Sequence, residues 1–81
     1  MSKEWSPAYD AAAVTPADSD LAGGDCVGFY VGTAGNVAIK TPGGTTVTLT
    51  GCLAGVVYPI QARQIRTTNT TASNIVALYR V

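Results

Sequence analysis

The 81-residue sequence predicts an all-β fold: a small antiparallel β-sandwich or barrel of about five strands behind an extended N-terminal arm. Three observations predict it. The apolar content comes from Val, Ile, Ala and Leu set among Thr and Gly, a mixture that favours strands and turns over helices. From Cys26 onward, short runs alternate with the period of two that turns one face of a strand inward. Clusters of Gly, Pro and Asn separate those runs at close intervals, whereas residues 1–25 sustain no period of either 2 or 3.6.

Residues 1–25 hold Pro7, Pro16, the alanine run 11–13 and the pair Gly23 and Gly24, so they read as an extended acidic arm, with residues 26–81 as a single β domain. Trp5 and Tyr9 are large apolar groups with polar tips and are expected to dock, on their own subunit or on a neighbour. The first strand is predicted over residues 26–31, with Val27, Phe29 and Val31 on one face and Gly28 and Tyr30 on the other. Gly32, Gly35 and Asn36 then supply the positive φ angles of a tight hairpin. A second strand over 36–40 turns Val37 and Ile39 inward, and Pro42, Gly43 and Gly44 make the next turn. Residues 45–50 alternate most cleanly, with Val47 and Leu49 inward and Thr46, Thr48 and Thr50 outward, so the first three strands read as a meander. A longer fourth strand is expected over 56–65, where Pro59 marks an edge or a bulge because proline cannot donate to a ladder. The Thr-rich stretch 67–74 is a loop, and 74–79 is the fifth strand.

Charge is sparse and unevenly placed. Hydrophobic residues make up 47% and charged residues 12%, little for a small domain in water, so part of the surface is expected to be covered by a partner. A domain of this size buries only about 60 to 65% of its unfolded surface, which points the same way. The formal net charge is zero, yet residues 1–25 hold all five acids and one base, a net −4. The rest holds Lys40, Arg63, Arg66 and Arg80 and no acid, a net +4. Opposite charge on arm and body suits a homo-oligomer in which the arm of one copy lies on the body of the next. Trp5, Tyr9, Asp18, Asp20, Arg63, Arg66 and Arg80 are the candidate interface residues. The alternative is that the bases only keep the domain in solution.

The chemistry-bearing residues argue against an enzyme. A hydrolase needs a nucleophile beside a base, or two carboxylates with separated pKa values; here every acid lies in the arm and there is no histidine. Asp18, Asp20 and Asp25 lack the spacing of a calcium loop, no CxxC pair offers a zinc site, and the glycines match no phosphate-binding motif. No metal or cofactor is therefore expected. Cys26 and Cys52 permit one disulfide, but with no signal peptide ahead of them and synthesis expected in a reducing cytoplasm they read as small buried hydrophobes. Four dispersed bases and a neutral total speak against nucleic acid as a partner, and the longest apolar run is far short of a membrane span.

Residues 30–38, 46–49, 54–60 and 75–79, preceded by 14–19, resemble in wording and order the head spike base family of gene transfer agents and related tailed phages. The resemblance implies a virion structural protein on the outer capsid surface, made in the host cytoplasm. It implies a pentamer at the vertices whose partners are its own copies, the major capsid protein and a spike or fibre protein. No catalytic residues come with it, and neither Cys26 nor Cys52 belongs to its pattern. Two other readings stay open. One is a decoration or cement protein at another capsid site. The other is a small receptor- or glycan-binding module using the loop 67–74, although that loop carries no aromatic platform of its own.

Overall fold

The computed structural model describes residues 10–80. Among them it has seven strands: β1 (Asp10–Val14), β2 (Gly28–Thr33), β3 (Gly35–Lys40), β4 (Thr46–Cys52), β5 (Val56–Tyr58), β6 (Gln64–Arg66) and β7 (Ser73–Tyr79). They form two antiparallel sheets, one of four strands in the order β1-β7-β2-β5 and one of three in the order β4-β3-β6. The small all-β architecture expected from the alternation is the one the chain builds.

Alternation decides which side chains are enclosed. Phe29 and Val31 on β2, Val37 and Ile39 on β3, Ile65 on β6, and Ile75 and Ala77 on β7 are all buried in one core. Enclosing an aliphatic or aromatic side chain of the larger kind contributes about 1.5–3 kcal/mol. Phe29 also stacks on Tyr58, ring centroids 5.7 Å apart, which ties β5 to the core through a second aromatic. Cys26 and Cys52 are buried free thiols, as expected of small hydrophobes. Burial pushes the Cys26 thiol above its ordinary pKa, so it stays protonated and unreactive.

Where the strands differ from expectation, tertiary context overrides local pattern. β2 and β3 follow each other directly but lie in different sheets, so they form no hairpin and the predicted meander is absent. Positive φ angles fall at Gly24, Gly44, Gly51, Gly55, Asn69 and Asn74, and not at Gly32, Gly35 or Asn36. Gly35 supplies room instead: a Cβ there would stand 2.6 Å from the Ala72 amide nitrogen, where the polar loop crosses the start of β3. The hairpin that does form joins β3 to β4. Its turn is closed by Thr41 N–H on the Thr45 carbonyl at 2.8 Å and Gly44 N–H on the Thr41 carbonyl at 2.9 Å, with Gly44 at φ 95°.

The long strand expected over 56–65 is two strands in different sheets. β5 stops at Tyr58, and Ile60 N–H bonds the Tyr58 carbonyl at 2.9 Å, a three-residue turn centred on Pro59. Pro59 therefore ends an edge strand, a place where its missing N–H costs nothing. Val47, expected inward, is 40% exposed. It stands opposite Ile39, but β4 has a neighbour on one side only, so its inner face is less covered than that of β3.

Residues 10–25 are hydrogen-bonded to both sheets. β1 pairs with β7 from Asp10 opposite Tyr79 to Val14 opposite Ile75. The chain then crosses over, and the Ala17 and Leu21 N–H groups donate to the Ile65 and Arg63 carbonyls, each at 2.9 Å. Residues 17–21 thus lie along the edge of β6 that β3 leaves free.

Candidate assembly interface

The acids of the leading segment meet the cations of the body within one chain. Asp18 accepts from Thr68 Oγ1 at 2.7 Å and from the Thr67 and Thr68 N–H groups at 3.0 and 3.2 Å, with Arg66 Nε 3.8 Å away. Those bonds, the Thr68 hydroxyl first, hold its carboxyl below the ordinary 3.8. Gln64 is buried, and its amide links the two sides: Nε2 donates to Asp20 at 2.9 Å, and Oε1 accepts from Arg66 Nη1 at 2.7 Å. Among the described residues no buried side-chain polar atom lacks a partner. Asp20 also borders a groove of about 270 Å³, lined by Ala12, Val14, Ala17, Leu21, Ile65 and Tyr79 among others.

Of the residues singled out from sequence, the structure brings Asp18 to Arg66 and Asp20 to Gln64, and aims Arg63 elsewhere, its guanidinium on the Pro42 carbonyl at 2.9 Å. Arg80 is exposed beyond the end of β7. Trp5 and Tyr9 lie outside the described residues. The Thr-rich loop is engaged with the body: the Thr70 and Thr71 hydroxyls accept from the Ala38 and Asn36 N–H groups, each at 2.9 Å. They serve the early part of β3 as a neighbouring strand would.

Two surfaces that the sequence did not single out stand out as uncovered. On the outer face of the four-stranded sheet, Ala13, Val76, Tyr30 and Val57 stand side by side across all four strands. Tyr30 is 36% and Val57 44% exposed. The next row, Ala11, Leu78 and Gly28, is also uncharged. A row of this kind was readable only once the register of four distant segments was known. The second surface is the edge of β4, where Thr46, Val47 and Thr48 are exposed and uncharged.

Among the described residues no three His, Cys, Asp or Glu side chains come together as a metal site. The described acids are separated between hydrogen bonds to Thr67, Thr68 and Gln64 and positions on the surface. What the described residues present instead is uncharged rows and strand edges without a described neighbour.

No protein-family model matches the chain, and no curated protein matches it in sequence. Among solved structures, it is similar to a chain of "Capsid of native GTA particle computed with C5 symmetry", GTA standing for gene transfer agent. The two share 32% identity and a TM-score of 0.79, over 90% of this chain and 84% of that one. Identity at that level over nearly the full length of both chains, with the same fold, means that this chain belongs to the family of that gene transfer agent capsid-particle protein.

Proposed function

We propose that this chain is a virion structural protein of the outer capsid surface, forming a pentameric base at the vertices on which a head spike or fibre is mounted. One observation carries the reading: kinship over nine-tenths of the chain with a component of a gene transfer agent capsid particle. The physical character of the surface supports it. A chain with 12% charged residues and an uncharged outer row on its larger sheet is suited to contact on several sides, by copies of itself, the capsid shell and the spike. The role is mechanical and needs no cofactor. Charged groups without an ion-pair partner among the described residues still favour ordered association, now Asp10, Asp25, Lys40 and Arg80, because Asp18, Asp20, Arg63 and Arg66 have partners in their own chain.

Electron cryomicroscopy of particles made with and without this chain tests the reading. Density at the fivefold vertices that disappears with the chain, together with the spike, is the expected result. Lost density at other capsid sites would replace the base with a decoration protein, and particles unchanged in outline would remove the virion role.

A further inference from the structure

A strand at the edge of a sheet offers a row of unpaired N–H and C=O groups, and proteins that stay single protect such edges with charge, proline, short length or a covering segment. This chain protects two of its four edges. The free edge of β6 is covered by residues 17–21. β5 has three residues and is followed at once by Pro59. β1 and β4, by contrast, each have a strand on one side only and nothing described on the other. β4 carries no charge and no proline. Its one irregularity lies towards Cys52, where three steps on β4 match two on β3, so Thr46 to Leu49 stays regular.

The two bare edges are unlike and lie on opposite flanks. The connection after β4 leads straight to β5, the far edge of the larger sheet, with Tyr58 Oη accepting from Leu53 N–H at 2.7 Å across it. The connection after β1 leads instead to the edge of β6. β1 and β6 therefore share one flank, β4 and β5 the other.

We propose that β1 of one copy pairs with β4 of the next, so that the sheets of neighbouring copies run on into one another. This rests on the oligomeric reading above and gives it a contact. Unlike edges on opposite flanks join head to tail, as a closed ring without twofold axes requires; a pairing of β4 with β4 would stop at a dimer. The charges agree in sign. Asp10 opens β1 with no cation paired to it among the described residues. At the matching end of β4, Lys40 stands opposite Thr46 with no carboxylate paired to it among the described residues, and Arg63 reaches the Pro42 carbonyl in the adjoining turn. The pairing also covers the 40% exposed Val47.

Hydrogen–deuterium exchange on the full chain, assembled and then diluted to monomer, tests the pairing. Slower exchange on assembly is expected at residues 10–14 and 46–49 and not at 56–58. Thr48→Lys, which places a charge on the edge, is expected to move the assembly midpoint to about tenfold higher concentration or more while leaving the monomer's melting temperature close to the parent's. An oligomer whose 10–14 and 46–49 amides exchange as fast as in the monomer overturns the pairing and leaves the oligomeric reading standing. A Thr48→Lys chain that assembles at the parent's midpoint also overturns it. A chain that is monomeric at every concentration removes both.

Discussion

The two flanks of the sandwich are finished in different ways. Where β1 lies beside β6, residues 17–21 cover the edge of β6, Ile65 is buried beneath, and Asp18, Asp20, Gln64 and Arg66 join side chain to side chain above. Where β4 lies beside β5, Val47, Leu53 and Val57 are 40%, 64% and 44% exposed and no ion pair is described. The contrast shows where a chain of this size places its few charges. It uses three of them, Asp18, Asp20 and Arg66, to close the edge of β6 and leaves β4 uncharged, where the β1 edge of a neighbour can complete it.

That contrast can be broken most forcibly from the closed side. Ile65→Ala removes a buried side chain from a strand of only three residues and should cost about 2–5 kcal/mol in urea unfolding. A smaller loss would mean that the closed flank relaxes as readily as the open one. Val47→Asp sits on the open flank, and though strict alternation would have it abolish folding, its exposure limits the cost to about 1 kcal/mol or less. The same change should strongly weaken association, read by sedimentation. A chain that fails to fold with Asp at 47 would place β4 in the core and remove the difference between the flanks.

A finer effect comes with acid. The carboxyl of Asp18 is held below 3.8 chiefly by the Thr68 hydroxyl, so folding favours its charged form. The stability this gives is present above the unfolded value and is lost as pH falls through the lowered folded value. Asp18→Asn should therefore melt lower than the parent at pH 6, and the gap should close as pH falls below 3.8. A gap that does not change with pH would show that hydrogen-bond geometry, not charge, secures this flank. The smallest effect is alkaline. Burial raises the Cys26 thiol above 9.0, so its contribution is intact below that value and declines as pH rises through the raised one, a decline that Cys26→Ala should lessen.

Much of the fold was legible because period two marks an inward face without any knowledge of what lies opposite. Phe29, Val31, Val37 and Ile39 were readable in that way, and so was the turn at Pro42 to Gly44. Assignment of strands to sheets was not. Nothing local distinguishes the glycines of a hairpin from Gly35, whose missing side chain admits the backbone of Ala72. β1 was hidden for another reason: in an alanine run inside and outside look alike, and only pairing with β7 gives it a face. At the candidate interface, the opposite charges of the leading segment and the body were visible in the sequence. That Asp18 and Asp20 meet Arg66 and Gln64 of their own chain depends on the crossing of residues 15–25 between the sheets, which no spacing reveals.

Native mass spectrometry of the full chain, from nanomolar to tens of micromolar at low and high salt, tests most directly the claim that the edges of β1 and β4 are left for siblings. A discrete closed oligomer of five copies, loosening as salt screens the opposite charges, is the predicted result. A lone subunit throughout that range, with Val47 and Val57 still open to water, would contradict it.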